Sequence, residues 1–358
     1  MCAGLLALGL AGSGDSPGAS GLDAAAGGEL GSDGPIEGEE PPCGVGGAPP
    51  CVEPWTYDVG ALPPEVSEIA RASRGLPLAE RIGAVSAPFL GRPYVDGCAG
   101  EGEGSDPDPP ARYDVFDCLT FIEEVLALAL APDPAWAGWY RTQLRFRDGV
   151  ARYDQRHHFF ESQWIPDNIE AGFIEDITPS LGEVVWIDKE VGPQVWQHWK
   201  RRRWFTLEDD QFPTEPLRLP VLPLDRALEA VDRIPAGAII VTVRIPIDHL
   251  PILVTHVGIT VPAKVPTMRH ATRMTGQRVR DDRLAWYVEH LKEYTRWPVA
   301  GINVLMPREQ GPRSGALAPK PEAAGQEPAA MDEREAAGSE SAGEGSSAGA
   351  PPATNPSF

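Results

Sequence analysis

Residues 113–130, with the sequence YDVFDCLTFIEEVLALAL, combine a short extended run with a helix that is apolar on most of its faces. Apolar side chains recur there at helical spacing and form one wide stripe: Leu119, Phe121, Ile122, Val125, Leu126, Leu128 and Ala129. A helix of this hydrophobicity is normally buried in a domain core. We therefore predict that the rest of the chain packs around it.

The start of this helix carries a reactive residue type. Asp117 is a good N-cap, which places Cys118 at the first helical position. Unpaired backbone N–H groups and the positive end of the helix dipole favour thiolate over thiol at that position. A cysteine nucleophile also needs a base within hydrogen-bond reach, and that base needs an orienting partner.

Two of the seven histidines, His256 and His270, lie in segments predicted as neighbouring strands. His256 shares a strand face with Gly258, which leaves space above the sheet. We predict that Cys118 attacks, His256 accepts its proton and His270 orients His256. The helix N-terminus, including the N–H of Cys118, would hold an oxyanion. The alternative is structural, because a cysteine in an apolar helix is usually a small buried hydrophobe.

The pattern along the chain predicts an α+β fold, in which the helix bearing Cys118 packs on an antiparallel sheet bearing the histidines. An Asp-Gly pair predicts a hairpin over 144–153. The predicted helices are 66–76, 78–86, 118–130, 135–144, 164–172 and 284–294, and the predicted strands are 184–189, 238–244, 255–261, 268–272 and 301–307.

Composition divides the chain into three parts. Residues 1–55 and 311–358 are rich in Gly, Ala, Pro, Ser and acidic residues, and we expect both to be disordered. Residues 56–310 are long enough for a single domain. The net charge is −21, and much of it comes from the two ends. The only basic run, 200–203, suits a solvated loop or helix end, so no nucleic-acid surface is expected.

The first residues, 1–14, resemble the apolar part and cleavage region of an export signal without its basic start. Alternatively, Cys2 is the acylated cysteine of a lipoprotein, or the segment is a disordered Gly/Ala-rich end. Cys43 and Cys51 are spaced to close a small disulfide loop, and Cys98 either stays free or pairs with one of them. No cysteine or histidine spacing predicts a metal site.

Several motifs occur in a fixed order over about residues 80–306. They are FLGRPY at 89–94, DCLTFIE at 117–123, RFRDG at 145–149, RHHF at 156–159 with Trp164, THVGI at 255–259 and HAT at 270–272. The set resembles the DUF1460 family, the N-acetylmuramoyl-L-alanine amidase-like branch of the NlpC/P60 cysteine hydrolases.

The resemblance implies a papain-like fold and a cofactor-free cysteine amidase of the periplasm or cell envelope. It implies cleavage of muropeptides, which are peptidoglycan fragments, between the lactyl group of N-acetylmuramic acid and L-alanine. It implies no stable protein partner. Cys118 and His256 would be nucleophile and base, with His270 the third polar member. The residues expected to line the substrate cleft are Tyr94, Arg156, His157, His158 and Trp164.

Two rival functions remain at this point. The same scaffold could be an endopeptidase that cuts the stem peptide after D-Glu, or a non-catalytic envelope-binding module. The chain also departs from the family pattern: Ala238 stands where the family usually has Asp, and His157 where Asn is usual. The missing carboxylate at Ala238 predicts a changed environment behind the catalytic residues.

Overall fold

The computed structural model describes residues 61–274 and 276–309, which belong to one compact unit. The predictions for the two ends lie outside these residues. They are the disordered arm 1–55, the tail 311–358, the export segment, the acylation of Cys2 and the disulfide between Cys43 and Cys51. Over the described ranges, no helix has both the length and the hydrophobicity needed to cross a membrane.

The described residues form helices and strands joined by short 3₁₀ turns. The helices are α1 (Pro64–Ala72), α2 (Leu78–Ser86), α3 (Cys118–Leu130), α4 (Ala137–Arg145), α5 (Ile165–Glu170), α6 (Thr178–Leu181), α7 (Pro193–His198), α8 (Leu224–Ala230) and α9 (Leu284–His290). The strands are β1 (Ile174–Asp176), β2 (Val185–Lys189), β3 (Leu217–Pro223), β4 (Ile239–Arg244), β5 (Val254–Val261), β6 (Thr267–Thr272), β7 (Arg278–Arg283) and β8 (Val299–Pro307).

The strands form one antiparallel sheet in the order β2-β3-β8-β4-β5-β6-β7, with β1 paired to β8. Strand β4 lies in the middle, and all six of its residues are buried. Its side chains alternate between two cores: Ile239, Val241 and Val243 pack with α3, whereas Ile240 packs with α8 and α9. The sheet is therefore covered by helices on both faces, which explains its continuous apolar strands.

Helix α3 lies in the larger core, where it packs against α2, α4, β5 and β6. All of its residues except Leu119 are buried. The predicted combination of a buried helix with an antiparallel sheet is confirmed. The α3–β5–β6 contact brings the helix that carries Cys118 onto the two strands that carry the histidines.

Two carboxylates of this buried helix have arginine partners on α4. The Nε atom of Arg145 lies 2.6 Å from Oε2 of Glu123, and Arg141 donates to Glu124. Arg145 also donates from Nη1 to the carbonyl of Pro110 at 2.7 Å. The pairs explain how an apolar helix accommodates adjacent acidic residues, because a buried charge needs a charged or hydrogen-bonded partner.

The predicted hairpin over 144–153 is wrong. Helix α4 continues to Arg145, which pairs with Glu123, and a 3₁₀ turn follows at Arg147–Gly149. Asp148 and Gly149 do adopt the positive φ values of a tight turn, 54° and 66°. The turn joins a helix to a loop, and the flanking segments share a single bridge between Phe146 and Arg156.

Three strands were not predicted: β1, which has only three residues, and β3 and β7, which lack the usual pattern. Strand β3 contains Pro220 and ends at Pro223, and proline weakens any strand prediction. Strand β7 has the sequence RVRDDR, in which Val279 is the only apolar residue. It nevertheless pairs with β6 along its whole length, because β6 supplies the backbone partners.

Candidate active site

Asp117 caps helix α3 and also ties it to the preceding loop. Its Oδ1 atom accepts from the backbone N–H groups of Leu119 and Thr120 at 3.0 and 2.8 Å. The hydroxyl of Thr120 accepts from the N–H of Asp117 at 2.9 Å, which completes a capping box. The other carboxylate oxygen accepts from Gly97 N–H at 3.1 Å. These bonds hold the first turn, and hence Cys118, in one position.

The Cys118 side chain is fully buried and faces the backbone N–H of Val257, the residue after His256. The gap between two strands makes this approach possible. Strands β5 and β6 pair only as far as Ile259 and Arg269, although both strands continue past that pair. The unpaired stretch is where the N-terminus of α3 meets the sheet.

The helix terminus alone does not make Cys118 a resting thiolate. Burial raises the pKa of the Cys118 thiol, and the neighbouring Asp117 carboxylate raises it further. The backbone N–H groups of Val257, Cys118 and Leu119 lower it by less. The sequence-based prediction named the helix end correctly as a favourable influence but left out desolvation, which is larger for a buried thiol. The thiol therefore needs a base.

His256 and His270 are hydrogen-bonded to each other across neighbouring strands. Nε2 of His256 lies 2.7 Å from Nδ1 of His270, and the two rings are close to perpendicular. Gly258 allows the approach of β6, since a Cβ atom there would lie 2.8 Å from Cβ of His270. The space expected above this glycine is filled by the side chains of Met268 and His270.

A third group, Asp282, extends this line of side chains and was not predicted. Its Oδ2 atom lies 2.9 Å from Nε2 of His270, and its Oδ1 atom lies 2.7 Å from Nη2 of Arg280. Both His270 and Asp282 are fully buried. The charged segment RVRDDR has the composition of a solvated turn, so its sequence does not suggest a buried site residue. Only the pairing of β7 with β6 shows that Asp282 lies beside His270.

The protonation states of these groups follow from their surroundings. Burial lowers the pKa of His256 well below its usual value, and the adjacent His270 lowers it further. Burial acts to raise the pKa of Asp282, but the hydrogen bond from His270 and the adjacent guanidinium of Arg280 outweigh it, so the pKa is lowered. At neutral pH His256 is thus an uncharged base, and Asp282 is a carboxylate.

Tyr94, one of the predicted cleft residues, lies close to Cys118. Burial raises the pKa of its phenol, and the neighbouring Cys118 and Asp117 raise it further. The hydroxyl of Tyr94 is 2.8 Å from Oδ1 of Asp96, and the guanidinium of Arg273 lies over its ring. Its position agrees with a role beside the substrate, which stays a prediction.

The other predicted cleft residues make internal contacts. Arg156 pairs with Glu101 and Asp106 at 2.8 and 3.0 Å and so fastens the loop before α3. His157 lies 2.9 Å from Asp167. The remaining two are buried as well: His158 contacts the carbonyl of Tyr153, and Trp164 donates to Glu123.

These internal contacts indicate that the four residues stabilise the segments around the site. Burial also lowers the pKa of His158 to about 3, so its ring is uncharged. Direct contact of Arg156, His157, His158 or Trp164 with a substrate stays a prediction.

Ala238 stands where the family pattern usually has Asp. It is fully buried, and its N–H donates to the hydroxyl of Thr260 at 2.9 Å.

Comparison with known proteins identifies the family of this chain. A family model described as AmiA-like, N-acetylmuramoyl-L-alanine amidase-like, matches residues 84–295, more than half of the chain. The chain therefore belongs to the N-acetylmuramoyl-L-alanine amidase-like family, also called DUF1460, as the ordered motifs predicted. Among curated proteins, no match was found.

Two solved structures share the fold. A DUF1460 protein from Legionella pneumophila is 23% identical, with a TM-score of 0.61 over 69% of this chain and 95% of that one. An N-acetylmuramoyl-L-alanine amidase from Bacteroides uniformis is 20% identical, with a TM-score of 0.53 over 64% of this chain and 99% of that one. At these identities the likeness concerns the fold.

Replacing Asp117 by asparagine is expected to make the Cys118 thiol easier to ionise. The carboxylate raises the thiol pKa, and Asn retains an oxygen that caps the helix. Iodoacetamide alkylates Cys118 at a rate that increases with pH, and mass spectrometry of its peptide follows that rate. The midpoint of this increase should therefore lie at a lower pH in the variant than in the wild type. Asp133→Asn, which changes an exposed cap at Ala135, is the matched control. An unchanged or higher midpoint pH in Asp117→Asn would contradict this electrostatic effect.

Proposed function

We propose that this protein is a cysteine amidase that hydrolyses the bond between the lactyl group of N-acetylmuramic acid and L-alanine in muropeptides. The observation that carries the proposal is the meeting of the capped Cys118 with the β5 strand, beside His256 and its hydrogen-bonded partner His270. Membership of the amidase-like family supports the substrate class. A papain-like NlpC/P60 arrangement is part of the proposal.

The first half of the reaction forms an acyl-enzyme. His256 takes the proton of Cys118, and the sulfur attacks the lactyl carbonyl carbon. The backbone N–H of Cys118 stabilises the oxyanion, since the Asp117 cap binds the N–H groups of Leu119 and Thr120 and not this one. The intermediate then collapses, the C–N bond breaks, and protonated His256 passes its proton to the amine of L-alanine.

Water completes the cycle. His256, uncharged again, takes a proton from a water molecule while the oxygen attacks the thioester carbon. The C–S bond breaks, and His256 returns the proton to the sulfur. The products are a muramic acid with a free lactyl carboxylate and a stem peptide with a free L-alanine amine. The nucleophile is a side chain, so we expect chelators to leave the rate unchanged and thiol reagents to abolish it.

Mass spectrometry of digested muropeptides tests the proposal. A disaccharide-tetrapeptide should yield a sugar with a free lactyl carboxylate and an intact tetrapeptide that begins with L-alanine. Hydroxylamine should divert part of the sugar product to a lactyl hydroxamate, because it intercepts a thioester. A disaccharide still carrying L-Ala-D-Glu would instead show an endopeptidase, and binding without cleavage would show an envelope-binding module. Either result overturns the amidase proposal.

We also propose that the protein acts in the cell envelope or periplasm. Its proposed substrate lies there, and residues 1–14 have the apolar character of an export segment. Fractionation of cells that express the full chain, with muropeptides as the substrate in each fraction, tests this location. Activity confined to the cytoplasmic fraction would contradict it.

A further inference from the structure

A line of hydrogen-bonded groups crosses three adjacent strands behind the proposed base. His256 on β5, His270 on β6 and Asp282 on β7 are joined by contacts of 2.7 and 2.9 Å. We propose that Asp282 is a positioning residue: it determines which ring nitrogen of His256 carries a proton, and thereby keeps Nδ1 free to take the proton of Cys118. The inference rests on the proposed function of His256 as the base.

The order of protons follows from the chemistry of each contact. An ionised carboxylate only accepts hydrogen bonds, so Nε2 of His270 must carry the proton that it donates to Asp282. We propose that His270 is a neutral imidazole; it then holds one proton, which leaves a lone pair on its Nδ1. Nε2 of His256 must then be the donor in the next contact, and Nδ1 of His256 is left with a lone pair.

The register of the sheet fixes the contact between Asp282 and His270. Strands β6 and β7 pair His270 with Arg280 and Met268 with Asp282, so Asp282 is the diagonal neighbour of His270 on the same face. Arg280 holds the second oxygen of Asp282 at 2.7 Å. The carboxylate therefore has a partner on each side and stays ionised although it is fully buried.

Tyr287 on α9 also faces the two rings. The ring of Tyr287 packs edge-on to His270 at 5.5 Å between centroids and lies 6.1 Å from that of His256. Its hydroxyl is 2.7 Å from the hydroxyl of Thr242. Tyr287 therefore packs against the two histidine rings and forms its hydrogen bond with Thr242. The charged groups of β7 near the two rings are Asp282 and Arg280.

Replacing Asp282 by asparagine should move the proton of each histidine ring to its other nitrogen. The asparagine amide N–H would donate to Nε2 of His270, which would move the proton of His270 to Nδ1. That proton would be donated to Nε2 of His256 and would leave the proton of His256 on Nδ1, where it blocks the acceptance of a proton from sulfur. We expect kcat to fall by about 100-fold or more, the range of a lost general base. KM should stay within about twofold, because Asp282 is buried and does not reach the substrate.

Nitrogen-15 NMR of histidine-labelled full-length protein reads the proton positions directly. In the wild type at neutral pH, Nε2 of His256 should be protonated and Nδ1 should not, with signals assigned by their loss in His256→Gln. In Asp282→Asn the two shifts should exchange. The matched control is Asp281→Asn, the next residue of the strand, which loses a pair with Arg269 at 2.7 and 2.8 Å. Its His256 shifts and kcat should match those of the wild type.

Three results would overturn the inference. One is a wild-type His256 protonated on Nδ1, which a doubly protonated His270 would cause. The second is an Asp282→Asn protein with unchanged shifts, and the third is an equal loss of kcat in Asp281→Asn. If Asp282→Asn fails to fold, the wild-type shifts still decide. Because the NMR measurement needs no substrate, its failure is distinct from a failure of the amidase proposal in the muropeptide digest.

Discussion

Alanine at position 118 should reduce muropeptide cleavage by at least about 1,000-fold, because the variant has no atom that can form the acyl-enzyme. The fold should be retained, since the thiol is small and the helix is held by the Asp117 cap and by surrounding apolar packing. The measurement is the initial rate of release of peptide amine from a purified disaccharide-tetrapeptide, with circular dichroism to verify the fold.

Cys98 provides the matched control for this variant. Over the described residues, Cys98 and Cys118 are both buried free thiols, and Cys98 lies 3.5 Å from the hydroxyl of Thr120 in the first turn of α3. Cys98→Ala should keep the rate within a few-fold. Equal activity in Cys118→Ala and the wild type would remove Cys118 from the mechanism. A large loss in Cys98→Ala alone would move the nucleophile to the neighbouring loop.

The second large effect concerns stability. Methionine in place of Arg145 should lower the free energy of unfolding by about 3–5 kcal/mol, because it leaves the buried carboxylate of Glu123 without its cation. Methionine keeps most of the apolar packing of the side chain, so the loss reports the charge. Urea unfolding followed by tryptophan fluorescence measures it. The control is Arg152→Met, which breaks an exposed pair with Asp154 and should change stability by under about 0.5 kcal/mol.

The pH dependence and a double variant separate the charge from other causes. Burial already raises the pKa of Glu123, and removal of Arg145 raises it further. The folded variant then binds more protons than the folded wild type, so its deficit should be smallest in acid and grow as pH rises above the ordinary range of a glutamate. Adding Glu123→Gln should restore part of the stability. A deficit that is independent of pH and persists in the double variant would contradict the assignment.

Local sequence predicted the parts of the site that depend on neighbouring residues. The cap at Asp117, the helix that begins at Cys118 and the strands that carry His256 and His270 all follow from short patterns of residue type. Sequence reasoning did less well where a distant partner decides the outcome. The Asp-Gly pair at 148–149 forms a turn, but the segment before it belongs to helix α4, whose last residue, Arg145, pairs with the distant Glu123.

The predicted cleft residues illustrate the same limit. Arg156 carries a charge and lies in a motif, which suits a ligand contact. Its actual contacts are the carboxylates of Glu101 and Asp106, from a loop about 50 residues earlier in the chain. Spacing in the sequence does not contain that information, because the contact depends on how a Gly-rich loop folds back over the site.

By itself, the sequence determined that a cysteine begins a buried helix and that two histidines lie on strands, since capping and periodicity act over a few residues. The tertiary structure decided what surrounds these groups. It buried the thiol, so that desolvation outweighs the helix end and the cysteine depends on a base. It also paired the charged strand β7 with β6 and so placed Asp282 behind His270. Both outcomes come from long-range packing, which sets the dielectric environment and the hydrogen-bond partners of each group.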